Sequence, residues 1–279
     1  MPITVTVTDD PARVLAEAGA FLASEPVLHN VVLTLLHARV AHPEPGRSWV
    51  ARDGGSAVGV VFQSPLTFPA VMTPMAGDVV AAVVDAMTDA GAEIPGINAE
   101  AATAARFAGR WTERHDSAAV PSKGLRHYEA REVHDRGAAA GELRPAGGDD
   151  RELLVAWVGA FHADTNEPAG DVGLSVDRRL EAGQLWLWED GEPVSLAGVT
   201  EPVEGVVRVP LAYTPPERRG RGYIQACVGA LTQRVLGEGY RCTLYADLGN
   251  PASNAAFRRV GYRAVGEVLR YRLEPGRRY

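Results

Sequence analysis

Six residues late in the 279-residue chain, Arg219-Gly220-Arg221-Gly222-Tyr223-Ile224, combine two guanidinium groups with two glycines. That combination suits an oxyanion. Glycine adopts positive φ readily and lets a bulky ligand approach the backbone. Arginine adds charge-assisted, bidentate hydrogen bonds. The apolar residues Ile224, Cys227, Val228, Leu231 and Val235 then recur at helical spacing, which predicts a helix over 222–236. The turn would sit at that helix's N-terminus, where unpaired N–H groups and the helix dipole both attract negative charge. Two familiar phosphate loops do not fit. No Gly-x-x-x-x-Gly-Lys-Ser/Thr string occurs, and Gly220-Arg221-Gly222 is followed by Gln225 where a dinucleotide fingerprint needs a third glycine.

The turn must be positioned by its flanks. Residues 206–213 read as a strand, although Pro210 cannot donate a ladder hydrogen bond and therefore marks an edge, a bulge or a place where the sheet splays. After the helix come a strand over 242–246, a short helix over 253–260 closed by Gly261, and a final strand over 268–273. Upstream, Leu185-Trp186-Leu187-Trp188-Glu189-Asp190-Gly191 opens a hairpin, and Trp49-Val50-Ala51-Arg52-Asp53-Gly54 opens another in the first half. A helical stretch precedes each, over 12–41 and 149–161. A helix before an antiparallel hairpin, twice, points to a duplicated α+β domain. Between 133 and 150 the apolar periodicity lapses into small and turn-forming residues, as in a linker. The division expected is 1–139 and 140–279.

Composition bounds the partners. The hydrophobic fraction of 46% can fill two cores, and the formal charge of −7 opposes binding to nucleic acid. No apolar run approaches the roughly 20 residues of a membrane span, and the N-terminus alternates like a strand rather than a signal peptide. A cytoplasmic protein is expected. Cys227 and Cys242 lack metal or redox spacing and read as buried, reduced thiols, so no metal is expected.

Two segments together carry a resemblance. Val209-Pro210-Leu211-Ala212-Tyr213-Thr214-Pro215-Pro216-Glu217-Arg218-Arg219-Gly220-Arg221-Gly222-Tyr223 resembles the acyl-CoA-binding motif of the GNAT N-acetyltransferase superfamily. Arg219 and Gly222 match its Arg/Gln-x-x-Gly-x-Gly/Ala signature, and Ile224 takes the final small-residue place. Asn250-Pro251-Ala252-Ser253-Asn254-Ala255-Ala256-Phe257-Arg258-Arg259-Val260-Gly261-Tyr262 is similar to the stretch that contacts the pantetheine arm, with Asn250 on its Asn and Ser253 on its Ala. The motifs cover about residues 205–273. The resemblance implies two GNAT-like α+β domains, each a mixed, mostly antiparallel sheet flanked by helices, with splayed central strands in the second.

It also implies acetyl-CoA as acyl donor, lying between strands 206–213 and 242–247. The backbone of Leu211, Ala212 and Tyr213 would pair with pantetheine and offer an N–H to the thioester oxygen. The segment Arg218-Arg219-Gly220-Arg221-Gly222-Tyr223-Ile224 would hold the pyrophosphate, and Asn250, Ser253 and Phe257 would flank the arm. The acceptor implied is a small-molecule or peptide amine; a homodimer is left open. The first half lacks the phosphate signature and has Ser64-Pro65-Leu66-Thr67-Phe68-Pro69 in its place. It reads as a degenerate copy that walls the acceptor cleft, with 97–100 a remnant of the later unit.

The acid is the departure. The family's tyrosine, seven residues after the motif Asn, is here Phe257. Ser253, Tyr245 or Tyr262 substitutes, or water protonates the thiolate, or the domain binds acyl-CoA without turnover. An aminoacyl-transfer enzyme of the same fold would need a basic groove, which the acidic balance opposes. Base candidates are the loop carboxylates Asp164, Glu167, Glu201 and Glu204, and His162. Of Trp186 and Trp188, at least one is expected to face the acceptor.

Overall fold

In a computed structural model, which describes residues 2–166 and 170–275, one order of elements occurs twice. The first run is β1 (Thr4–Thr8), α1 (Pro11–Ser24), α2 (Asn30–Ala41), β2 (Arg47–Asp53), β3 (Ser56–Gln63), β4 (Ala70–Met72), α3 (Gly77–Asp89), β5 (Gly96–Glu100), α4 (Ala101–Arg114) and β6 (Ser117–Ala130). The second is β7 (Glu142–Pro145), α5 (Arg151–Thr165), α6 (Val172–Glu181), β8 (Leu185–Glu189), β9 (Pro193–Gly198), β10 (Val206–Val209), β11 (Leu211–Tyr213), α7 (Tyr223–Gly237), β12 (Arg241–Asp247), α8 (Pro251–Val260) and β13 (Arg263–Pro275). The single difference of order is that the strand expected over 206–213 is cut in two. The duplicated α+β architecture is as the sequence implied, and β5 with α4 stands where β12 with α8 stands in the second run.

The helices differ from expectation where prolines and caps intervene. The stretch 12–41 breaks into α1 and α2, because Pro26 has no N–H and disfavours helix at Glu25. The helix expected to end at 161 continues to Thr165, where Asn166 in the left-handed region (φ 51°) stops it. Helix α6, capped by the Asp171 carboxylate on Leu174 N–H, was not foreseen.

The chain forms two compact units, Met1–Arg126 with Gly266–Tyr279, and His127–Val265. This differs from a division at 139/140 for two reasons. First, the terminal strands trade places: β13 pairs antiparallel with β5 inside the first unit, Val268 opposite Glu100 and Arg272 opposite Gly96, while β6 pairs with β12. A Cβ on Gly96 would run into the carbonyl oxygen of Tyr271, so this close approach needs glycine. Second, the segment taken for a linker is a strap on the second unit. Gln225 Nε2 of α7 donates to Asp135 Oδ2 (3.1 Å), and Trp188 Nε1 donates to Ala140 O (2.8 Å).

In the first unit the strands run β1-β2-β3-β4-β5-β13, antiparallel except for β4 with β5. In the second, β7-β8-β9-β11 are antiparallel, and β10 lies parallel to β12. One face of this second unit packs on α7 and α8 through Cys227, Val228, Leu231, Leu244, Phe257 and Tyr262, all buried. The other packs Leu187, Leu196 and Leu211 against Leu154, Val158 and Val176 of α5 and α6. Each such side chain contributes roughly 1.5–3 kcal/mol by leaving water. Trp186 and Trp188 both lie in the α7 core, Trp186 beneath the Arg234 guanidinium (4.7 Å). Neither takes the acceptor-facing place expected of one of them, because alternation sends both to the same face.

Candidate functional site

The splay falls at Pro210. Before it, β10 pairs with β12 from Val206–Arg241 to Val209–Leu244. After it, Leu211, Ala212 and Tyr213 pair with Gly198, Ala197 and Leu196 of β9. Pro210 has no N–H to keep both partners, so the strand changes sheets there and the second edge of β11 diverges from Tyr245–Asp247. The sequence left three meanings for this proline, and the structure selects the splay.

Beyond β11 the chain is anchored step by step. Buried Ser195 of β9 donates its hydroxyl to Tyr213 O (3.0 Å) and contacts Thr214 Oγ1 (2.9 Å). Thr214 O in turn accepts from Arg219 Nε (2.9 Å). The turn that follows is exposed from Arg219 to Gly222. Gly220 and Gly222 have φ of 78° and 81°, a region where other residues are strained. Gly222 is the N-cap of α7 and offers no side-chain acceptor. The first helical bond is Ala226 N–H to Gly222 O (3.1 Å), so the amides of Tyr223, Ile224 and Gln225 start the helix without intrahelical acceptors. Ile224 directs its side chain into the α7 core, which is how a larger residue fits the small-residue place.

Carboxylates meet the cations of this turn. Arg219 Nη2 bonds Asp164 Oδ2 (2.5 Å) while its guanidinium lies 5.8 Å from the Tyr213 ring centroid. Arg218 pairs with Glu192, and the Tyr223 hydroxyl donates to Asp190 Oδ2 (2.6 Å). The Arg219–Asp164 and Arg218–Glu192 pairs are solvent-exposed, and such pairs are worth at most about 1 kcal/mol. A pyrophosphate can displace them. Exposed glycine backbone, free helix-start amides and two or three guanidiniums fit that group.

The Asn250 side chain caps α8 by accepting from Ser253 N–H (3.0 Å), and Ser253 is half-buried. Asn254, beneath them, accepts from the Tyr128 hydroxyl (2.9 Å) and donates to Asp247 O (2.7 Å), tying α8 to the end of β12. Phe257 is buried in the core beside Tyr262. The Tyr262 hydroxyl is committed to Thr232 (2.7 Å) and Cys242 (3.1 Å), and burial lifts its pKa well above the usual value. It is therefore a core group, removed from the acids considered.

Tyr245 lies on the opposite sheet face from Phe257, since Leu244 and Ala246 take the α8 side. Its ring stacks on His127 (4.2 Å, 13°), and burial raises its phenol to about 12 although neighbouring Arg208 opposes the rise. His127 was not among the sequence candidates. Thr243 gives its hydroxyl hydrogen to Tyr128 O (2.7 Å). The 2.6 Å contact between His127 Nε2 and Thr243 Oγ1 therefore needs the imidazole as donor, which leaves Nδ1 as the acceptor. Burial, then the Arg208 charge, depress this histidine to about 4, so it stands neutral at pH 7. Glu201 accepts from Gln184 (2.9 Å) in an exposed loop, Glu204 is an exposed turn residue with φ 48°, and His162 lies in the last turn of α5 edge-on to Phe161. Glu167 lies outside the described residues. Cys227 and Cys242 are buried, free thiols held protonated by burial, at about 12 and about 11.

Comparison with known proteins agrees with this geometry. Residues 203–271 match the family model described as FR47-like protein. A GNAT-family acetyltransferase from Colwellia psychrerythraea superposes with a TM-score of 0.64 at 10% identity, over 97% of this chain and 100% of its own. A GCN5-related N-acetyltransferase from Sphaerobacter thermophilus gives 0.62 at 15%, over 98% and 96%. A tandem GNAT protein from the clavulanic acid biosynthesis pathway gives 0.58 at 13%, over 96% and 97%. No curated protein matches the chain by sequence. The resemblance to the GNAT superfamily is thus borne out, by the family match over residues 203–271 and by the fold of both units.

Proposed function

We propose that the second unit is an acyl-CoA-dependent N-acyltransferase that moves acetyl from acetyl-CoA to a primary amine. The observation that carries this is the adjacency of two features on one stretch of chain: the splay at Pro210 and the exposed Arg-Gly-Arg-Gly turn at the start of α7. The turn takes the pyrophosphate, and the free edge of Leu211, Ala212 and Tyr213 takes the pantetheine arm. A β11 amide then faces the thioester oxygen, where negative charge grows during attack. The amine nitrogen forms the new C–N bond, the C–S bond breaks, and coenzyme A leaves as a thiolate with the bonding pair. The proton lost by the amine returns to that thiolate directly or through water. Tyr245, held protonated, and Ser253 are the side chains proposed to supply a proton near it. A thiol of pKa near 8.5 does not demand a strong acid.

A second reading, acyl-CoA binding without turnover, is favoured by Phe257, which fills the core where the superfamily resemblance calls for a tyrosine. Thermal unfolding separates the outcomes. Acetyl-CoA should raise Tm in the parent chain by mass action and leave Gly222→Glu unmoved, while ATP moves neither. An equal shift in the variant would place the ligand elsewhere. Thiol release on adding amines then decides for transfer, and its absence with binding intact decides for the second reading.

A further inference from the structure

Of the half-buried arginines in the second unit, Arg144, Arg218 and Arg241 each pair with a carboxylate. Arg179 and Arg208 do not. Arg208 of β10 stands opposite Thr243 in the β12 register, on the face that carries Tyr245 and His127. Arg179 of α6 reaches the same region. Its Nη1 is buried without a hydrogen-bond partner and lies against Gly198 of β9, 3.4 Å from where a Cβ would stand. Among the described residues neither forms an ion pair. Glu129, which acts on neighbouring His127, is engaged by Arg131 and Arg241. Burial lowers both guanidiniums, Arg208 to about 10, and the Arg179 charge lowers Arg208 further.

Two neighbouring, half-buried cations without an anion are costly, since a charge withdrawn from water loses hydration that nothing here replaces. A neighbour that supplies the missing charge removes that cost. Arg208 sits two residues before Pro210, at the root of the splay where the proposed function puts the thioester. A guanidinium pair matches the flat, two-oxygen geometry of a carboxylate.

We propose that Arg179 and Arg208 seat a carboxylate of the acceptor, so that the substrates are amines bearing a carboxylate, of the amino-acid class. This rests on the acyltransferase reading for the acceptor's chemistry. The test is run with the full chain at saturating acetyl-CoA, on matched pairs: glycine and glycinamide, β-alanine and β-alaninamide, 4-aminobutyrate and its amide, with O-phosphoethanolamine as a phosphate arm. Thiol release and the Tm of the acetyl-CoA complex are both read. At least one carboxylate should exceed its amide tenfold or more in kcat/KM, and Arg208→Gln or Arg179→Gln should erase that preference while the shift caused by acetyl-CoA persists. Arg208→Lys should keep part of it. Without ligand, Arg208→Met and Arg179→Met should melt no lower than the parent, because each relieves an unpaired charge; a merely structural arginine would lower Tm. The proposal fails if amides equal carboxylates in every pair, if the preference survives both substitutions, if the phosphate arm is preferred, or if no carboxylate binds. Absence of any acetyl-CoA shift in the parent would instead sink the acyltransferase reading itself.

Discussion

Arg219 is held by Asp164 and lies beside Tyr213, and both contacts fix its direction before any ligand arrives. The carboxylate also competes with an incoming phosphate. Asp164→Asn should therefore tighten acetyl-CoA by about threefold, in line with an exposed pair worth at most about 1 kcal/mol; isothermal titration giving weaker binding would make Asp164 a supporting rather than a competing group. His127 carries a pH signature. Unfolded it takes a proton near 6.5, folded only near about 4. Between those values the unfolded chain binds more protons, so this group's contribution is complete above pH 6.5 and is lost as pH falls towards 4. The difference amounts to about 3 kcal/mol. Urea unfolding at pH 7.5 and 4.5 should show His127→Gln losing less stability on acidification than the parent; equal losses would contradict the assignment. The resemblance puts the acid for the departing thiolate at position 257, and a tyrosine there restores that hydroxyl. Phe257→Tyr should raise single-turnover thiol release about tenfold, at a stability cost of about 1–3 kcal/mol if the hydroxyl finds no partner. An unchanged rate would mean that the ring does not reach the sulfur.

At the scale of elements, the site is a junction: β9 anchors β11, Pro210 releases it from β12, and a two-glycine turn starts α7. Gly222→Ala keeps the space, since only Ala139 lies near, but must hold φ at 81°. It should lower stability by about 1–2 kcal/mol and weaken acetyl-CoA at least tenfold, measured by denaturation and by titration on the same sample. These elements were legible because their signals are local: the i, i+3, i+4 run of α7, the Asn250 cap of α8, the imino nitrogen of Pro210. Arg208 was visible as a lone charge in an apolar strand, yet nothing local could say that Arg179, on a helix the periodicity missed, would come to face it. His127 was hidden for the same reason, its partners Thr243 and Tyr245 being more than a hundred residues away.

For the whole molecule, the duplication showed through twin Asp-Gly hairpins, whereas the trade of terminal strands did not. Strand pairing is set by partners distant in sequence, and alternation reports a face rather than a neighbour. Leu269, Tyr271 and Leu273 of β13 pack on the core of the first unit. Ending the chain at Val265 should strip β5 of one of its two partners, leaving β4, and cost the first unit on the order of 1–2 kcal/mol for each of these side chains. Hydrogen exchange should show protection lost at those amides of 96–100 that bond to β13; retained protection at them would mean that β5 finds another partner on that edge.

A ribosome makes this protein from its amino end, and domains commonly fold in that order as they emerge. Here the first unit takes its closing strand from residues that follow the second unit in sequence. Until residues 266–275 leave the exit tunnel, β5 offers an open edge, the kind of surface on which nascent chains aggregate. The first unit therefore cannot be completed before the second has been translated. Translation pauses or chaperone contacts before residues 266–275 emerge should govern the yield of folded first unit.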